Sequence, residues 1–284
     1  MQRSFTLGFI CVLLLSFLLI SCQTSVEPPF EVQTAAERRE SMVGGFGEYV
    51  LSHPRAEQVL VHRAVYAVPE APESGELPVD LYYPPGFRFN RRMPTVIVVG
   101  GNLNWTSNVT LAELLAANGF LTVVPESLQM VKDDAPEQLT ALIGRVLEDA
   151  ERLFIDGQRL AIWTEGHPSS LALQVAMDRE AAFHDGLRAA VFVSPVMTFA
   201  QNSFEYDPAW IAPQLPVLIA RGEEDSIYEV KASVKMFMKA AEEAGSEVRY
   251  LEVAGGKHNW MTKYDAEASH QAIKAEIEFL KEHL

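Results

Sequence analysis

The stretch LAIWTEGHPSSLALQVA, from Leu160 to Ala176, decides the fold. Leu160 to Trp163 is an apolar run suited to a strand buried on both faces. Thr164 to Pro168 reads as an abrupt turn, and from Ser169 onward small and apolar residues recur at helical spacing. A strand that passes through a tight turn straight into a helix lifts the turn residues to the carboxyl edge of a sheet. That edge is where α/β folds keep their chemistry.

Upstream, TVIVV (Thr95 to Val99) is a second buried strand, and it ends in Gly100-Gly101-Asn102, where glycines let the backbone turn sharply. Thr110 to Asn118 has helical period and stops at Gly119, and FLTVVPE (Phe120 to Glu126) is the next strand. Ala135 to Phe154 reads as one long amphipathic helix, followed by a turn at Asp156-Gly157. Earlier still, VLVHRAVYAV (Val59 to Val68) and LPVDLYYPPG (Leu77 to Gly86) suggest an antiparallel pair at the sheet edge. Downstream come strands at Leu187 to Pro195 and Leu215 to Gly222, and a helix from Val230 to Ala244. A strand at Val248 to Val253, the loop AGGKHNW and a helix from Ala266 to Leu284 complete the series. Such alternation predicts an α/β fold, a mostly parallel sheet of about eight strands with helices on both faces. Pro195 to Pro213, with Phe199, Phe204, Tyr206 and Trp210, is long enough to cover a site but too short for a cap domain.

The chain has 284 residues, enough for one large α/β domain, and carries a net charge of −15 with 23 basic residues. That balance argues against nucleic acid as a partner, because phosphate neutralisation needs a basic face. Arg3 precedes an apolar run from Phe5 to Ile20, too short for a comfortable transmembrane helix, which reads as a secretory signal. Leu19-Ile20-Ser21-Cys22 resembles the lipobox of bacterial lipoproteins, in which the cysteine is diacylated and becomes the first residue of the mature chain. The alternative is an ordinary signal peptide cut near Ser21. Anchoring through Cys22 would attach the protein to a membrane of the bacterial cell envelope. The expected organisation is a signal peptide over 1–21, a polar tether and extension over 22–57, and one domain over 58–284. Cys11 and Cys22 are the two cysteines, so the folded domain has neither a disulfide nor a thiolate nucleophile or zinc site.

Three landmarks make the span from about Val59 to Leu284 resemble the α/β-hydrolase family, with esterases and dienelactone hydrolases as the nearest likeness. VDLYYPPG followed by MPTVIVVGGN looks like the first strands and the oxyanion loop. Gly222-Glu223-Glu224-Asp225 is similar to the family's acid loop, and Gly255-Gly256-Lys257-His258 to its histidine loop. The resemblance implies Asp225 as the orienting acid and His258 as general base and then general acid, a role suited to a side chain that titrates near neutrality. A structural reading is also open, with Asp225 capping a helix and His258 bonded in a loop.

The family's nucleophile sits in a strand–turn–helix elbow, G-x-S-x-G. Aligned without gaps, Leu160 to Ala176 places Thr164 at the first glycine and Gly166 at the serine. Glycine carries no nucleophile. The His167 backbone N–H and Asn102 would then supply oxyanion donors. Ser169 and Ser170 are weak candidates for a displaced nucleophile, and capping of the following helix is their alternative role. Glu165 is a second weak candidate, as a carboxylate nucleophile or a base for water. His53, His62, His167, His184, His270 and His283 show no metal-ligand spacing, and no cofactor motif is present, so neither metal nor cofactor is expected. The resemblance therefore implies a hydrolase acting on a small ester, with an atypical or lost nucleophile. The alternative is a lipid-anchored binding or scaffold protein on the same frame.

Overall fold

A computed structural model of the chain describes residues 28–42, 44, 47–68, 75–100, 102, 104–126, 134–197, 211–212 and 214–284. The first elements are β1 (Gln33–Thr34), α1 (Ala35–Arg39), β2 (Leu60–Ala67), β3 (Glu76–Tyr83), β4 (Met93–Val99), α2 (Thr106–Ala117) and β5 (Leu121–Pro125). Then come α3 (Ala135–Glu148), β6 (Ile155–Glu165), α4 (Ser169–Met177), β7 (Leu187–Val193) and β8 (Val217–Gly222). α5 (Tyr228–Glu243), β9 (Val248–Val253), α6 (Trp260–Lys263) and α7 (Glu267–His283) close the chain. The described strands form one nine-stranded sheet in the order β1-β2-β3-β5-β4-β6-β7-β8-β9. From β5 to β9 along that order every pairing is parallel, while β1, β2 and β3 add antiparallel at one side. The expected edge pair is β2 with β3, and β1 extends it by two residues.

Period-two alternation divides the central strands between two cores. Ile97, Leu160 and Ile162 face Leu139, Leu142 and Ile143 of α3 and Val234 and Phe237 of α5. Val96, Val98, Ala161 and Trp163 face Leu111, Leu114 and Leu115 of α2 and Ile273 and Ile277 of α7. Each such side chain contributes roughly 1.5–3 kcal/mol by leaving water. Burial on both faces explains the unbroken apolar runs of β4 and β6.

Besides an α2 that begins at Thr106 rather than Thr110 and a β6 that runs to Glu165, so that the turn expected from Thr164 begins at Gly166, three features differ from the sequence reading. The helix expected over Ala135 to Phe154 stops at Glu148, and residues 149–154 form turns in which Phe154 takes φ +60°. Leu153 is still fully buried, so a turn residue continued the apolar period of the helix. Asp156-Gly157 does not separate elements but lies inside β6. Its turn chemistry survives locally, since Asp156 Oδ1 accepts the Gln158 N–H at 3.1 Å where the β4–β6 pairing shifts register.

The third difference concerns the polar N-terminal segment. Within the span 22–57 expected as a polar tether and extension, the chain joins the sheet at Gln33 and forms α1. A capping box starts that helix: Thr34 Oγ1 accepts the Glu37 N–H at 3.2 Å, and Glu37 Oε2 accepts the Thr34 N–H at 2.6 Å. Arg38, 1% exposed, holds it down by donating to Asp80 Oδ2 of β3 at 2.5 Å and to Asn104 Oδ1 at 2.6 Å. Composition read these residues as solvated, and buried pairing is what kept Arg38 from solvent. Residues 1–27, including Cys11, Cys22 and the apolar run, lie outside the described residues, as do 198–210 and 213 of the expected covering loop. Among the described residues no helix is long and apolar enough to cross a membrane.

Candidate active site

The turns after β4, β6, β8 and β9 leave the sheet at one edge, because these strands are parallel. Asp225 follows β8 and His258 follows β9. Two neighbouring strands thus bring together residues 33 positions apart: His258 Nδ1 and Asp225 Oδ2 are 3.0 Å apart. The Asp225 side chain is fully buried, whereas that of His258 is 23% exposed. Burial opposes ionisation of Asp225, but the hydrogen bonds from His258 and the Ile227 N–H, and the charges of His258 and Arg221, hold its carboxyl below the usual range. An ionised acid on Nδ1 makes that nitrogen the donor, which leaves Nε2 as the free base. Nε2 has no hydrogen bond among the described residues.

Close packing of the two loops fixes this pair. A Cβ on Gly222 would sit 2.3 Å from the Gly256 carbonyl oxygen, so only glycine fits at the end of β8. The Glu224 N–H donates to that same Gly256 oxygen at 2.8 Å, and the Gly255 N–H donates to Glu223 Oε2 at 2.9 Å. Beneath them Arg221, 7% exposed, donates Nη2 to the Asp225 carbonyl at 3.2 Å. The glycines of both sequence motifs thus serve loop packing.

β6 delivers Thr164, Glu165 and Gly166 to the same edge. Thr164 is buried and donates its hydroxyl to the Val99 carbonyl at 2.9 Å, tying β6 to β4. Gly166 takes φ +66°, the left-handed region that side chains disfavour, and a Cβ placed there would meet nothing within 4 Å among the described residues. The backbone there suits glycine and leaves the position without a side chain. α4 begins at Ser169 without a side-chain cap. Ser169 is fully buried and its hydroxyl has no hydrogen-bond partner among the described residues; Ser170 donates to the His167 carbonyl at 3.2 Å. The expected capping of α4 by these serines is therefore corrected: Pro168 occupies the N-cap, and neither hydroxyl accepts a helix N–H.

Asn102, after β4, is held by its neighbours. Its carbonyl accepts Asn108 Nδ2 at 2.7 Å, and its Oδ1 accepts the Asn104 N–H at 2.8 Å. The backbone N–H groups of Asn102 and His167 make no hydrogen bond among the described residues, and the His167 side chain is exposed. Asn104 is the residue gripped by Arg38, so α1 also braces this loop.

Glu165 precedes Gly166, with one carboxylate oxygen buried and without a hydrogen-bond partner among the described residues and the other accepting the Tyr49 hydroxyl at 3.2 Å. Burial pushes its carboxyl up to about 7, against the Tyr49 hydrogen bond and the charges of His258 and Lys263. Glu276 of α7 is 2% exposed, and burial pushes it up to about 8; Trp163 opposes that rise by donating a hydrogen bond, and the charge of Glu165 adds to it. Tyr49 and Glu276 escaped the sequence reading. Tyr49 left no signal, but Glu276 sits at helical spacing among Ala272, Ile273 and Leu280, an acid inside an apolar stripe. Among the described residues no group of three or more His, Cys, Asp or Glu side chains could hold a metal ion.

No family model matches the sequence, and no curated protein matches it. Solved structures do. A thermostable esterase from Pseudomonas putida superposes with a TM-score of 0.66 at 16% identity, covering 88% of each chain. A structure from work on two Rhizomucor miehei esterases gives 0.65 at 17% identity, over 79% of this chain and 84% of that one. Esterase 2 of Thermogutta terrifontis gives 0.61 at 16% identity, over 77% and 94%. At such identities the likeness concerns architecture. The parallel sheet, its antiparallel edge and the helices on both faces make this the α/β-hydrolase fold.

Proposed function

We propose that the protein is a hydrolase of small esters in which water, activated by His258, stands in for the missing serine hydroxyl. The Asp225–His258 contact of 3.0 Å, on the same sheet edge as an elbow that carries glycine at position 166, supports this reading. His258 Nε2 takes a proton from water and the resulting hydroxide attacks the ester carbonyl carbon. The amides of Asn102 and His167 stabilise the oxyanion of the tetrahedral intermediate. As that intermediate collapses the carbon–oxygen bond breaks, and the alkoxide leaves with the proton held by His258. The structural neighbours are esterases, which supports the same class of substrate. Without a covalent nucleophile the rate falls short of a serine esterase by orders of magnitude.

Hydrolysis of p-nitrophenyl acetate by wild type and His258→Ala tests this. A loss of about a hundredfold or more in kcat/KM in the variant supports the general base; equal rates sink it. Wild type should also resist fluorophosphonate labelling, whereas labelling abolished by Ser169→Ala would move the nucleophile to that serine. Gly166 favours a second reading, a binding protein without turnover, and saturable binding of esters with no hydrolysis would establish it.

The sequence around Cys22 supports lipid anchoring in the bacterial cell envelope as part of the same proposal. Cys22→Ser should shift the protein from the membrane to the soluble fraction, and an unchanged distribution would remove the anchor.

A further inference from the structure

A groove of about 770 Å³ lies between α5 and the β8–β9 side of the sheet. It is separate from the turns that carry Gly166 and Asn102. Val234, Met238 and Val248 give it an apolar lining, and Lys231, Lys235 and Lys239 stand along it. These lysines are spaced four apart, so they project from one face of α5, and all three are exposed. Lys239 approaches Glu243 at 3.9 Å, whereas Lys231 and Lys235 form no ion pair among the described residues. Glu242 is the acid in the lining. On a chain of net charge −15, Lys231 and Lys235 are thus two cations along the groove without an acidic partner among the described residues.

Arg221 lines the same groove and is nine-tenths buried. Its Nη1 donates to the Tyr250 hydroxyl at 3.2 Å and to Glu252 Oε2 at 3.4 Å, and its Nη2 to the Asp225 carbonyl. Its Nε is buried with no hydrogen-bond partner among the described residues. A buried donor left unmatched is unfavourable, and an acceptor brought in by a ligand would match it.

We propose that this groove binds an amphiphilic anion: a carboxylate or phosphate bearing a short alkyl chain. The chain would lie on Val234, Met238 and Val248, and the head group would meet Lys231, Lys235 and the Arg221 guanidinium. Apolar walls with a few convergent polar groups are the usual form of a small-molecule site. The assignment holds whether or not the protein hydrolyses esters.

Amide NMR titration of the full chain with octanoate, octyl phosphate, octanol and inorganic phosphate tests it. At least one of the two octyl anions should bind saturably and shift α5 amides along the groove, and the stronger identifies the head group. Octanol, which lacks the charge, and phosphate, which lacks the chain, should each bind at least about tenfold more weakly. The double variant Lys231→Glu, Lys235→Glu changes exposed residues only and should keep its circular dichroism while losing about tenfold or more in affinity. Equal binding of octanol, binding indifferent to the charge reversal, or shifts confined to the His258 loop would each overturn the assignment.

Discussion

The hydroxyl of Tyr49 donates to Glu165 Oε2 over 3.2 Å, joining residues 116 positions apart immediately beside the open elbow at Gly166. A residue from the N-terminal region thus supplies the described hydrogen bond to a buried carboxylate that neighbours the candidate site. Tyr49→Phe removes that donor and little else. The hydrogen bond lowers the affinity of Glu165 for its proton, so the variant should titrate above about 7, with stability reduced by about 1 kcal/mol. Carbon-13 NMR of the glutamate carboxyls reads the midpoint. A midpoint unchanged or lowered would show that the hydroxyl does not govern Glu165.

Glu276 makes stability depend on pH. Its carboxyl is raised from 4.5 to about 8, so the folded state holds a proton that the unfolded state releases between those values. Stability therefore falls as pH rises through that window and levels off above about 8. Glu276→Gln cannot ionise and should be more stable than wild type at pH ~9, by on the order of 5 kcal/mol, with little difference near pH ~4. Urea denaturation at the two pH values checks the sign. Glu165, raised to about 7, retains a shallower dependence of the same direction in the variant.

Gly166→Ser places a hydroxyl on the elbow at the sheet edge that also carries Asp225 and His258, where no described residue lies within 4 Å of its Cβ. The left-handed φ of +66° makes any side chain there cost about 1–2 kcal/mol. Activity toward p-nitrophenyl acetate should nevertheless rise about tenfold or more, and fluorophosphonate labelling should appear. A folded variant that neither gains activity nor takes the label would mean that position 166 does not face the His258 ring.

Gly222→Ala should separate the acid loop from the histidine loop. Its methyl group would collide with the backbone at Gly256, 2.3 Å away, where no flexible side chain can yield. The expected outcome is a loss of about 2 kcal/mol or more in stability, with the hydrogen bond between Asp225 and His258 broken. Urea denaturation checks the stability. Proton NMR checks the pair, because the downfield imidazole Nδ1–H signal of wild type should vanish.

Arg38→Ala leaves Asp80 without its main partner in a fully buried position. Losing one member of a buried ion pair costs about 3–5 kcal/mol. Thermal denaturation should show a lowered midpoint. A variant lacking residues 1–40 should show a comparable loss, because α1 brings Arg38 to the sheet; wild-type stability in both would show that α1 is dispensable.

Much of the architecture was legible because parallel strands buried on both faces write themselves as apolar runs. TVIVV, LAIW and AAVFV could hardly be anything else, and the glycines after β8 and β9 marked the loops of Asp225 and His258. Boundaries were less legible where one residue served two patterns. Leu153 continued the period of α3 from within a turn, and Asp156-Gly157 carried turn chemistry into the middle of β6. Arg38 was hidden altogether, since a buried ion pair has the composition of a surface.

At Leu160 to Ala176 the two kinds of information separate. The local sequence specified a strand, a sharp turn and a helix, because those states follow from apolar period, glycine and proline within a few residues. It also determined that the elbow has no hydroxyl at Gly166. Folding in three dimensions is what set Gly166 in a left-handed backbone, buried Ser169 and placed Glu165 against Tyr49. Likewise, only the pairing of β8 with β9 set Asp225 against His258. Those relationships join residues far apart in the chain, and their strength depends on burial, which no local pattern records.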